Sequence, residues 1–392
     1  MDQPLNLLGA LPETLASHLR DHGVTVRDAE TRRIIARVFR LGRLELTGMP
    51  RPVPRAVERA AEALCVADRP ELVERVTDPS DQSVRYLFRA GDGLVFEAVR
   101  IGLHKPGHSS VCLSSQVGCA MGCDFCATGR LGLSRNLAAH EMVGAFCAVR
   151  DEAPGPVTGA VFMGQGEPFH NYDAVLTACA VLSHPCGARI AQKAITISTV
   201  GLVPRIRQFT AEGHKYRLIV SLTSAIDARR ARWMPVASRW PLDDLAAALR
   251  ERAAATRDRV TLAWVLMGGI NHGPDEVDAL RARFDGLPFI LNLIDINDSR
   301  PDGLRRATEA ERNAFLDALQ VLGVPLVRRY SVGQGQDAAC GMLAARSAVR
   351  SEGRGRVEPL AQAVALDDVY DIVAEDAAPH RMLSDRDHVD KH

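Results

Sequence analysis

The chain has 392 residues, 46% of them hydrophobic, with 48 basic and 48 acidic side chains and no formal net charge at pH 7. That length and apolar content suffice for a full core with smaller appendages, and they exclude a disordered or fibrous chain. No run of 18 apolar residues occurs, and the start MDQPLNLLGALPETL lacks a basic segment followed by an apolar one, so the expectation is a cytoplasmic protein with no membrane partner.

The neutrality conceals an asymmetry. Residues 357–392 hold nine acids against three bases, which leaves residues 1–356 with a surplus of six positive charges. Nearly all of that charge is arginine, which suits bidentate phosphate contacts, although an arginine-rich genome composition accounts for the same fact. Nine cysteines in a chain read as cytoplasmic point to metal, catalysis or packing rather than to a static disulfide framework.

In chain order, residues 1–75 read as a small helical accessory domain. One helix opens at Pro12, one runs from Glu30 to Leu41 with apolar side chains at three- and four-residue spacing, and one from Pro54 to Cys65. Residues 76–110 read as a linker and a β-hairpin: 66–82 look like a polar connection, and 84–103 alternate apolar and polar about Gly91-Asp92-Gly93. Residues 111–350 form the predicted core, with strands at Val111–Gln116, Ala160–Met163, Ala194–Thr199, Leu218–Leu222, Val260–Leu266 and Phe289–Ile294, and a helix over Asn136–Val149. Six such strand–helix units predict an α/β fold, a partial parallel (β/α)6 barrel with its site at the C-terminal ends of the strands. Residues 351–392 make an acidic C-terminal tail.

Directly after the first core strand stand Cys119, Cys123 and Cys126. Three thiolates at CxxxCxxC spacing can hold three irons of a [4Fe-4S] cluster and leave the fourth open to a reactant. A structural zinc site favours paired CxxC or added histidines, and none follows here. The spacing is similar to that of the radical S-adenosylmethionine (SAM) superfamily, in which SAM occupies the fourth iron. Gly164-Gln165-Gly166-Glu167-Pro168 follows the second strand, where glycines allow close backbone approach and Glu167 can accept from an ammonium group. Ser198, Ser221, Leu222, Thr223 and Asn297 follow later strands, and small hydroxyls and an amide at one rim suit a ribose and a carboxylate. Each alone reads equally as a cap or turn residue.

Together with the cluster run, Cys112-Leu113-Ser114-Ser115-Gln116-Val117-Gly118-Cys119, Gly166-Glu167-Pro168, Ser198-Thr199-Val200-Gly201 and Asp337-Ala338-Ala339-Cys340-Gly341 resemble the RlmN/Cfr family of radical SAM RNA methyltransferases. The resemblance implies methylation of an adenosine carbon of RNA, carbon 2 ahead of carbon 8, with 23S rRNA as the preferred target and tRNA as the second. It implies two SAM per turnover, an external electron donor such as flavodoxin or ferredoxin, and a monomer. Cys340 then carries the methyl group as S-methylcysteine, Cys112 resolves the RNA adduct by forming a disulfide, and Glu97 accepts the proton that leaves the base. Glu97 also reads as a hairpin glutamate in a cross-strand pair, and Cys65, Cys147, Cys179 and Cys186 read as packing. Two departures stand out. The family's Ser-Leu-His is Ser221-Leu222-Thr223 here, and its Trp-Asn-Pro is Ile296-Asn297-Asp298, followed by an altered segment from Ser299 to Gly303. These leave two further classes open: a radical SAM enzyme acting on a peptide or small molecule, and a non-catalytic iron–sulfur redox protein.

Overall fold

The computed structural model of the protein describes residues 3–297, 304–329, 339 and 341–343. Cys340, Asp298, the segment 299–303 and the tail 351–392 lie outside the described residues.

Ten strands, numbered here along the chain, form one sheet: β1 (Glu71–Thr77), β2 (Val84–Arg89), β3 (Val95–Gly102), β4 (Ser109–Leu113), β5 (Val157–Phe162), β6 (Ile195–Thr199), β7 (Arg217–Ser221), β8 (Val260–Leu266), β9 (Phe289–Asp295) and β10 (Leu326–Arg329). Their order in the sheet is their order in the chain. From β1 to β4 the pairs are antiparallel, joined by short connections. From β4 to β10 they are parallel. Each parallel step needs a crossover, and each is supplied by a helix such as Ala139–Glu152, Tyr172–Ser183 or Val203–Ala211. No pairing joins β1 to β10 among the described residues, so the sheet is open.

All six expected core strands are present. The first ends earlier than its apolar run: β4 stops at Leu113, and Gln116–Cys119 turns away to pair with Gly132–Asn136 in a two-stranded ribbon. Gly118 makes that turn possible, since its φ is +80° and a side chain there would collide with the Gly132 carbonyl. Asn136 belongs to this ribbon, so the helix expected from Asn136 begins at Ala139.

Two strands of this sheet were not read from the sequence. The polar stretch within 66–82 contains β1, an edge strand whose residues are mostly exposed; its charges read as a connection, yet they are what protects an open edge. It also crosses the expected boundary at residue 75. At the other edge β10 spans four residues, too short to declare a period.

The N-terminal helices Pro12–Asp21, Asp28–Leu41 and Arg55–Leu64 lie where periodicity puts them. Asp28–Leu41 buries Ile34, Ile35, Val38 and Phe39, is capped where its Glu30 carboxylate accepts the N–H of Arg27 just before the helix, and ends at Gly42 in a left-handed conformation. Its apolar stripe belongs to the same buried cluster as Phe146 and Cys147 of the sheet-covering helices. No described helix is long and apolar enough to cross a membrane.

Candidate active site

Parallel strands leave their C-terminal ends free to carry a site. At those ends a half-enclosed cavity of about 150 Å³ is lined by Cys119, Cys123 and Cys126, and by Gly166, Glu167, Ser198, Ser221 and Asn297. Eight of the residues expected to bind cluster or SAM therefore face one space. Leu222 and Thr223 do not line it. Both are fully buried beneath the rim, where their N–H groups donate to the Ala263 carbonyl and Asn271 donates to the Thr223 carbonyl at 2.6 Å. Thr223 takes a left-handed φ of +61°, and its hydroxyl has no hydrogen-bond partner among the described residues.

The cysteine loop is held from several sides. Asp124 N–H donates to the Trp233 carbonyl at 3.1 Å, and Ala127 N–H donates to the Gly341 carbonyl at 2.7 Å. Burial pushes the Cys119 and Cys123 thiols well above their usual range. Iron reverses that, because a coordinated thiol is deprotonated outright. Among the described residues no three His, Cys, Asp or Glu side chains are gathered tightly enough for a single ion. A cube gives each thiolate its own iron, so three cysteines spread around one cavity fit that donor set.

Glu167 is placed by its backbone. Its carboxylate accepts from Phe169 N–H at 3.0 Å and from Val200 N–H at 2.8 Å, and its own N–H donates to the Gln116 side chain at 2.8 Å. Burial raises its carboxyl to about 7 against those hydrogen bonds. The glycine before it is required: Gly166 has φ +97°, and a Cβ there would lie 2.6 Å from the Gln116 side chain. Asn297 is fixed by Arg306, which donates to its side-chain oxygen and to the Ile296 carbonyl.

Cys112 and Glu97 do not line the cavity, although Cys112 packs behind its wall. On β3 Glu97 and Val99 share a face, since strand side chains alternate, and Val99 pairs in register with Cys112 on β4. Cys112 packs with Val99, Val161 and Leu343, and Met163 lies both against this group and in the cavity wall. Glu97 is buried; its carboxylate accepts from Arg85 at 2.7 Å and from Gln165 at 3.2 Å. It thus makes a cross-strand ion pair, but inside the protein rather than on a surface hairpin.

Cys65, Cys147 and Cys179 are buried, and burial pushes Cys65 and Cys147 up to about 11, which makes them poor nucleophiles. One functional residue escaped the sequence reading. Arg230 is 1% exposed and donates to the carbonyls of Leu222, Val200 and Ser221, tying together two strand ends of the rim. Burial pulls its guanidinium down to about 10, opposed by the nearby Cys123 and Asp227. In a sequence run with Arg229 and Arg232, nothing singles it out.

No family model matches the chain. A "Probable RNA methyltransferase" of Anaeromyxobacter sp. is 49% identical over 347 residues, 88% of this chain and 99% of the relative. A "Probable dual-specificity RNA methyltransferase RlmN" of Heliobacterium modesticaldum is 37% identical over 90% of this chain and 92% of its own length. Among solved structures, a radical SAM methyltransferase from Sphaerobacter thermophilus superposes with a TM-score of 0.79 at 33% identity, covering 87% of this chain and 99% of that one. With relatives this similar along nearly their whole length, and three cysteines of the expected spacing lining the rim cavity, the chain belongs to the RlmN-type family of radical SAM RNA methyltransferases.

Proposed function

We propose that this enzyme methylates a ring carbon of an adenosine in RNA, carbon 2 ahead of carbon 8, acting on 23S rRNA with tRNA as a second target, through an S-methyl group on Cys340. Cys119, Cys123 and Cys126 would hold a [4Fe-4S] cluster, which when bound and reduced by a flavodoxin- or ferredoxin-type donor would supply the one-electron chemistry that cleaves SAM to a carbon radical. Two SAM are consumed per turnover, one to load Cys340 and one to activate the methyl group. The enzyme acts as a cytoplasmic monomer in this reading.

The chain's own residues divide the remaining work. Glu167, Ser198, Ser221 and Asn297 offer hydrogen-bond partners to the ammonium, ribose and carboxylate of SAM, with Gly166 admitting it closely. Once the S-bound methylene carbon of Cys340 has bonded to the base carbon, Glu97 takes the proton from that base carbon as the adduct gives back the one electron spent on cleaving SAM. Arg85 and Gln165 hold its carboxylate in one place, on the sheet face that carries Cys112. Cys112, as thiolate, then attacks the Cys340 sulfur. An S–S bond forms, the bond from that sulfur to the transferred carbon breaks, its electron pair takes up a proton to complete the methyl group, and an external thiol later reduces the disulfide.

The observation that carries this reading is the convergence of the cluster cysteines and pocket residues with the chain around Cys340. Gly341 lines the cavity, and the Leu343 carbonyl accepts from Thr128 at 3.0 Å while its side chain packs on Cys112. Mass spectrometry of Cys112→Ala purified with its RNA tests it. An RNA–protein adduct on Cys340 is expected, and nucleoside analysis of rRNA and tRNA from wild-type and deletion strains gives target and carbon. Wild-type turnover in both Cys112→Ala and Cys340→Ala would refute the covalent route.

A further inference from the structure

A second concave surface lies at the opposite end of the sheet. Arg150 closes the helix Ala139–Glu152, and Pro185 to Arg189 follow the helix Tyr172–Ser183; both stretches precede the N-terminal ends of the strands they feed, β5 and β6. Between them and the N-terminal helix Asp28–Leu41 runs a groove of about 740 Å³, lined by Arg33, Arg37, Arg40, Arg51, Arg150 and Arg189. Helices of 12 and 14 residues separate this end from the cavity rim, a length of roughly 20 Å.

The charge in the groove is compensated from within only at Arg150. Asp151 is its one acidic lining residue, and that carboxylate already accepts from Arg150 at 2.7 Å and Arg69 at 2.8 Å. Arg37 reaches the Glu45 carboxylate at 3.5 Å. Arg33 and Arg189 donate to backbone carbonyls, Ala29 at 3.0 Å and Pro185 at 2.8 Å, which orients a guanidinium without neutralising it. Arg40 and Arg51 are exposed and have no ion pair among the described residues. Arg33, Arg37 and Arg40 are spaced at i, i+4 and i+7, so one helix face presents all three. Across the groove Arg189 is held at φ +57°, a conformation costly for any residue but glycine.

We propose that this groove is a second RNA site, which grips backbone phosphates of the substrate some distance from the base undergoing reaction. It rests on the reading above that RNA is the substrate. Guanidinium forks match phosphate oxygens bidentately, and a row of them along a groove tracks a polyanion. A folded RNA spans both ends of the sheet, which a single nucleotide does not. Such contacts set affinity and salt dependence and carry no base specificity, so the groove anchors the RNA while the cavity selects the atom.

The test uses the full chain and a tRNA transcript, because phosphate contacts are independent of sequence. Replacing Arg40, Arg51 and Arg189 together by Ala is expected to weaken binding at least about tenfold near 0.1 M salt and to reduce the slope of log K against log salt by about two. Replacing the same three by Lys should restore most of both. RNA-independent SAM cleavage should stay at the wild-type rate in every variant. If the wild-type protein binds the transcript and the Ala variant binds it equally or more tightly with the same slope, the groove is not an RNA site; tighter binding would assign it to the acidic residues 357–392 instead. If the wild-type protein binds no RNA, the substrate reading itself falls.

Discussion

The two ends of the sheet solve opposite problems. At the C-terminal end the cavity is small, and the polar groups in and beneath its wall are held by hydrogen bonds: Glu167 by the N–H groups of Phe169 and Val200, Arg230 by three carbonyls, Gln116 by Glu167 N–H and the Asn136 side chain. At the N-terminal end the groove is larger, and Arg40 and Arg51 are left to solvent. A half-enclosed site with its walls pinned by hydrogen bonds holds a reactive group in position and limits the access of water. An open row of charges accepts a flexible polyanion from many approaches at a cost paid only in salt sensitivity. On the reading proposed above, chemistry belongs to one end of the sheet and RNA capture to the other.

The sharpest way to break that division is to remove a cluster cysteine. Cys123→Ala is expected to abolish iron loading and SAM cleavage while leaving RNA binding and its salt slope near wild type, measured by iron analysis, deoxyadenosine release and filter binding. Loss of RNA binding together with iron would mean that the two ends are not independent. Next in size is the buried pair of Glu97 and Arg85. Glu97→Ala leaves the Arg85 guanidinium buried, with Glu74 at 3.4 Å as its other carboxylate contact, and is expected to cost about 3–5 kcal/mol in urea unfolding. An exposed pair such as Lys193 with Asp258 should be worth less than about 1 kcal/mol by the same measurement. Equal costs would contradict the contrast between enclosed and open electrostatics. The smallest expected effect is at Gly166, where Ala must hold φ +97° against the Gln116 side chain. About 1–3 kcal/mol of stability should be lost, with SAM affinity falling more steeply than RNA affinity.

Much of the site was legible because its signals are local. The cysteine spacing, the glycines around Glu167, and the hydroxyls of Ser198 and Ser221 all lie at or just after the ends of strands that hydrophobic runs mark plainly, so order along the chain became position around a rim. Thr223 shows where that logic stops. It follows the right strand, but its backbone turns down into the core toward Asn271, and a left-handed φ decided by tertiary contacts determines which way its side chain points. The edge strand β1 was illegible for a related reason, since a strand that stays exposed carries no alternation to read.

By itself the sequence determined the α/β class, the parallel core, the cluster loop and the residues from which a SAM pocket could be made, because each depends on a period or a spacing within a few residues. Only the tertiary structure decided the rest. It buried Arg230 among rim carbonyls, paired Glu97 with Arg85 on the face of Cys112, and set arginines 33 to 51 opposite Arg150 and Arg189 across one groove. Those residues are far apart in the chain. Their juxtaposition depends on which helices cover which strands, and no local pattern records it.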